Sequence, residues 1–133
     1  MTRVQGAFSI GFLAVLLAGS VWAEALPVQT QGNVSYVSGG VGDEEVAALR
    51  AVQGSYNLHL LFVGSNGHYL SGTRVVVKNA KSEAVLDAES TGPYFYAKLP
   101  AGRYSVSASN DGQTQTRSLQ LGTKGGKQTT FRW

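Results

Sequence analysis

The sequence predicts an all-β protein, an immunoglobulin-like sandwich of seven strands with one short helix ahead of them. Three observations predict it. Apolar and polar residues alternate with period two through most of the second half of the chain. Turn signals such as Asn66-Gly67, Pro100-Ala101-Gly102 and Asn110-Asp111-Gly112 separate those runs, at intervals of roughly eight to twelve residues. A helical pattern is confined to Asp43–Val52.

The clearest strand pair lies between Thr91 and Ala108. Phe95, Ala97 and Leu99 share one face of its first arm, while Tyr94, Tyr96 and Lys98 share the other. On the second arm Tyr104, Val106 and Ala108 point one way and Arg103, Ser105 and Ser107 the other. Pro100 presets the φ of the turn between them, and Gly102 tolerates a positive one.

From the N-terminus, residues 1–23 read as a signal peptide. Arg3 supplies the positive start, Ala7 to Ala18 is an apolar run, and Val21-Trp22-Ala23 is a small-residue cleavage site, with a second one ending at Ala25. The run is shorter than the ~20 residues that a membrane span needs, so no span is expected after cleavage. Residues 24–42 read as an N-terminal arm. Within it Glu24 to Gly32 has no apolar period and is expected to be loosely docked. Asn33 to Ser38 alternates weakly, as a short edge strand would.

Residues 43–133 form the folded unit. Asp43, Glu44 and Glu45 fill the first turn of the helix, where its dipole favours acids. Val46, Leu49 and Val52 recur on one side, and Gly54 is placed to end it. About three turns of helix are marginal alone, so that side must pack on the sandwich. The strands follow at Tyr56–Val63, Thr73–Lys78, Glu83–Glu89, Tyr94–Leu99, Arg103–Ser109, Gln113–Leu121 and Gln128–Trp133. The expected core is Leu58, Leu60, Phe62, Val75, Val77, Val85, Phe95, Leu99, Tyr104, Val106, Leu119, Leu121 and Phe131.

Part of this pattern has a family likeness. Thr91-Gly92, Phe95 and Leu99-Pro100-Ala101-Gly102-Arg103-Tyr104-Ser105-Val106 resemble the signature of carboxypeptidase regulatory-like domains. Upstream, Asn66-Gly67 and Leu70-Ser71-Gly72-Thr73-Arg74-Val75-Val76-Val77 resemble the earlier element of the same family. The resemblance implies a seven-stranded sandwich of transthyretin-like topology, in a small exported bacterial protein. It is to the non-catalytic accessory domain, so it implies no peptidase activity. Such glycine and turn motifs specify a fold far better than a function.

Composition narrows the chemistry. The chain has no cysteine, which removes thiol catalysis, thiolate metal sites and disulfide staples. Its net charge of +3 includes Arg3, and there is no Lys/Arg run, which argues against a nucleic-acid partner. The two histidines, His59 and His68, read as surface residues. No Gly-x-Ser-x-Gly elbow and no His-Glu-x-x-His pair is present, so no catalytic residue, metal or cofactor is expected. Gly40-Val41-Gly42 lacks the third glycine of a dinucleotide site. Gly125-Gly126-Lys127 has Leu121 where a phosphate loop needs glycine.

The outward tyrosines remain. If Phe95 and Ala97 face the core, Tyr94 and Tyr96 face out, and two rings two residues apart make a platform for a partner or a sugar. Ordinary cross-strand pairing, or cover by the helix, is the competing arrangement. The expected protein is therefore a periplasmic or secreted, non-enzymatic β-sandwich module. It would bind a protein or cell-envelope component through Tyr94 and Tyr96, with carbohydrate binding as the alternative and a small hydrolase using His59 or His68 as the more remote one.

Overall fold

Each alternating segment owns one apolar face, and the cheapest place to bury it is against the same face of another sheet. In the computed structural model, which describes residues 26–133, nine strands form two sheets that meet in this way. The leader expected at residues 1–23 lies outside the described residues.

The elements in chain order are β1 (Gln29–Gln31), β2 (Val34–Gly39), α1 (Asp43–Val52) and a single 3-10 turn (Gln53–Ser55). Then follow β3 (Leu58–Val63), β4 (Arg74–Lys78), β5 (Ala84–Glu89), β6 (Tyr94–Lys98), β7 (Gly102–Asn110), β8 (Gln113–Leu121) and β9 (Lys127–Arg132). The first sheet has the order β1-β2-β6-β3-β9 and the second β5-β4-β7-β8. Neighbouring strands are antiparallel except β3 and β9, which run parallel from Leu58↔Lys127 to Val63↔Arg132.

The seven strands expected from Tyr56 onward are all present, as β3 to β9. The count of nine comes from the segment before the helix. Gln29–Gln31 is a strand within the expected loose arm, and it pairs with β2 about the turn at Gly32. Val34–Gly39 is not at the edge, because β1 flanks it on one side and β6 on the other. Short polar strands such as Gln-Thr-Gln carry almost no periodic signal, since their ladder is made by the backbone.

Leu58, Leu60, Phe62, Phe95, Ala97 and Phe131 of the first sheet meet Val75, Val77, Tyr104, Val106 and Ala108 of the second in a single buried cluster. Fully burying each large side chain contributes roughly 1.5–3 kcal/mol. Two expected core residues need correction. Val85 is only partly buried, and Leu86 takes its place in the core. The ladder between β4 and β5 slips at Val77/Lys78, so that Val77 pairs with Leu86 and Lys78 with Ala84, leaving Val85 as the extra residue of a bulge. Leu119, near the end of the outermost strand β8, is also only partly covered.

The turn at Pro100 is fastened by Tyr104, whose hydroxyl donates to the Pro100 carbonyl at 2.7 Å. Asn57 braces the same end of the molecule. Its Nδ2 donates to the carbonyls of Leu99 (2.8 Å) and Gly122 (3.0 Å), and its Oδ1 accepts from the Leu99 N–H (2.9 Å).

Candidate binding site

Helix α1 begins after Gly42, whose φ of 90° suits glycine. No side chain caps it at that position. Instead Glu45, on the third helical residue, reaches back and accepts from the N–H groups of Gly40 and Val41, both at 3.0 Å. This sets the direction in which the helix leaves β2. Leu49 then inserts into a second buried cluster with Val37, Tyr56 and Tyr96, flanked by Leu26 and Tyr94. Val46 is half-buried, while Val52 lies 39% exposed at the end of the helix.

The strand alternation does turn Tyr94 and Tyr96 to the outer face of β6, but that face is roofed. Tyr96 is only 7% exposed and Tyr94 is half-buried. The pair therefore forms no open platform. Both rings instead line a cavity of about 230 Å³ between α1 and the first sheet. Val46, Leu49, Arg50 and Gln53 close it from the helix side, and His59, Leu61 and Gln128 from the sheet.

His59 is not a surface histidine. It pairs with Tyr96 across β3 and β6, with ring centroids 4.6 Å apart, and it is 9% exposed. Its Nε2 lies 3.0 Å from the Gln53 carbonyl, which can only accept, so Nε2 carries the proton. The backbone of Gly126 lies against the same imidazole, and any Cβ at that position would collide with it. His68 sits exposed in the β3–β4 loop. Among the described residues, no Asp, Glu or Ser lines the cavity beside His59. Among the described residues, no three His, Cys, Asp or Glu side chains group as metal ligands would.

The rings form a row running from solvent inward. Tyr69, 59% exposed, meets Tyr94 edge-on at 6.1 Å, Tyr94 meets Tyr96 at 6.4 Å, and Tyr96 meets Tyr56 at 6.2 Å. Burial pushes the Tyr94 and Tyr96 phenols above their ordinary value; Tyr69 pushes Tyr94 further the same way, and Arg50 pulls both back. Arg50 is thus electrostatically part of the site.

Sequence reasoning missed Tyr69, Arg50, Gln53 and Gln128. Tyr69 arrives because the Gly64 N–H donates to the His68 carbonyl at 2.7 Å, folding the loop back so that Tyr69 bridges Val63. The Asn66-Gly67 turn signalled the reversal but not where the next ring would land. Arg50 and Gln128 lie far apart in sequence and meet only through the docking of α1 and the parallel pairing of β9.

A larger cavity of about 600 Å³ opens near Asn57, between Asn33, Lys98, Ala101 and Thr123. Its buried polar side chain, Asn57, is already spent on backbone partners. The edges of the sandwich are similarly occupied. Gln31 bonds the backbone of Asp87 between β1 and β5. Gln115 and Arg117 of β8 donate to the carbonyls of Arg132 and Thr130 on β9.

Fold and cavity together define a β-sandwich-like protein with a helix-roofed, polar, cation-bearing pocket on its first sheet. No family model matches the chain, and no curated protein matches it. Among the described residues no helix is long and apolar enough to cross a membrane.

Proposed function

We propose that the chain is an exported, non-enzymatic module, periplasmic or secreted, that binds a protein or cell-envelope partner with the α1 face of its first sheet. The observation that carries this reading is the convergence of Arg50, Gln53, Gln128 and Tyr94 on one cavity, with the exposed ring of Tyr69 edge-on against Tyr94. Convergent polar groups in a concave, partly aromatic setting are what a binding pocket requires. The edges support the same choice, since strands bonded by the protein's own side chains are poor templates for added strands.

The finer fold reading is also a proposal. We read β3 to β9 as a seven-stranded carboxypeptidase regulatory-like, transthyretin-like unit, to which the segment before Asn57 adds β1, β2 and α1. What supports it is that Leu99 to Gly102, the most family-like stretch, forms the β6–β7 turn.

The test is affinity capture from cell-envelope extract, comparing wild type with a Tyr69→Ser/Tyr94→Ser double variant. Partners retained by wild type and lost by the variant are the expected result. Identical partner sets would remove this face from the argument. Mass spectrometry of the exported protein is expected to show a start near Glu24, and an intact Met1 would refute the leader.

A further inference from the structure

We propose that the α1 cavity holds one acidic sugar residue, a uronic-acid-type ring, with its carboxylate on the Arg50 guanidinium. The inference rests on the binding reading above and names its ligand class.

Charge comes first. Among the described residues, Arg50 is the only Lys, Arg, Asp or Glu in the lining, and it makes no ion pair. A guanidinium offers five N–H donors in a planar fork, a geometry that matches a carboxylate in two parallel bonds. With no acid in the lining among the described residues, a ligand ammonium finds no counter-charge there, so amino acids and amines fit poorly.

Polarity comes next. Gln53 and Gln128 each offer an amide that both donates and accepts, and Tyr94 and Tyr96 each offer a phenol that does the same. Sugar hydroxyls need such two-way partners. The rings of Tyr94 and Tyr96, both in the lining, supply an aromatic surface for the C–H face of a pyranose. Size limits the ligand: about 230 Å³ falls short of the ~300–1,000 Å³ typical of drug-sized ligands, and suits one ring. The remainder of a glycan would leave past Tyr69, which is open to solvent.

The experiment is an amide-detected NMR titration of the whole exported chain with methyl β-glucuronide, methyl β-glucoside, acetate and N-acetylglycine as separate probes. The glucuronide is expected to give saturable shifts at Arg50, Gln53 and Gln128. The glucoside is expected to bind at least about tenfold more weakly, the size of one lost charge-assisted contact. Arg50→Gln is expected to erase that difference, and Gln128→Leu to weaken both sugars alike. Both substitutions lie at exposed positions, and an unchanged thermal melt checks that each variant is folded. Acetate or N-acetylglycine binding as tightly as the glucuronide would overturn the sugar assignment, as would no saturable response to the glucuronide. Envelope capture that still depends on Tyr69 and Tyr94 but not on Arg50 would overturn the acidic sugar alone and leave the binding reading standing.

Discussion

The carboxamide of Gln31 closes both hydrogen bonds of the Asp87 backbone: Nε2 donates to the carbonyl at 2.8 Å and Oε1 accepts from the N–H at 3.0 Å. One side chain thereby imitates the neighbouring strand that β5 lacks, and ties the short β1 of one sheet to the edge of the other. The bridge satisfies groups that would otherwise invite a foreign strand.

Gln31→Ala is expected to lower stability by about 1–2 kcal/mol, since two partly solvated hydrogen bonds are worth roughly 0.5–1.5 kcal/mol each. It should also raise self-association, because the Asp87 edge is then open. Denaturant unfolding checks the first effect and concentration-dependent sedimentation the second. A variant that stays monomeric at every concentration would show that the bridge does not guard the edge.

Asn57 performs the same imitation in a drier place, and there the cost of losing it is larger. Asn57→Ala strands the Leu99 N–H and the carbonyls of Leu99 and Gly122. A loss of roughly 3–5 kcal/mol is expected, two to three times that of Gln31→Ala, because unsatisfied buried groups pay their full desolvation. Lys98→Ala, one residue from Leu99 but exposed, should cost little, and Leu99→Ala about 2–5 kcal/mol. Equal midpoints for the Asn57 and Lys98 variants would contradict the bracing role.

The docking of α1 is tested by Leu49, which is 1% exposed between Val37, Tyr56 and Tyr96. Leu49→Ala is expected to cost about 2–4 kcal/mol, and Val52→Ala, at the solvent end of the same helix, under about 0.5 kcal/mol. The Leu49 variant should also weaken partner capture while folded, because the cavity loses part of its roof. Equal, small effects at both positions would make the helix an appendage.

Burial raises the phenols of Tyr56, Tyr94, Tyr96 and Tyr104 above the ordinary 10.0. In the unfolded chain each ionises near that value, so above pH 10.0 the native state holds more protons than the unfolded one. Stability is therefore undiminished by these groups below that pH and falls as pH rises toward the native values. Phenolate absorbance should rise late in the folded protein and jump on unfolding. A single titration at the ordinary value, with no fall in stability, would contradict the burial of these rings.

Much of the fold was legible from local pattern. The seven strands from Tyr56 onward and the helix at Asp43–Val52 were readable because period two and period 3.6 are written into consecutive residues. The single error of facing, Val85 for Leu86, came at a bulge. There one extra residue inverts the alternation, and the sequence leaves no mark of it. β1 escaped notice because Gln29-Thr30-Gln31 has no apolar face to display, only backbone groups to pair.

The sequence by itself determined which faces of the strands are apolar, where the chain turns, and that Tyr94 and Tyr96 leave β6 on the side opposite Phe95. Only the tertiary structure decided what covers that side. Leu49 chose to bury there, which sank Tyr96, made His59 a partner of Gln53, and left Arg50 lining a cavity with Gln128 and Tyr94. Alternation is a property of one strand's own backbone and can be read along it. A cavity is the space left between elements, set by how a helix docks and how a loop folds back, and residues some eighty positions apart, such as Arg50 and Gln128, share it only once packing is complete.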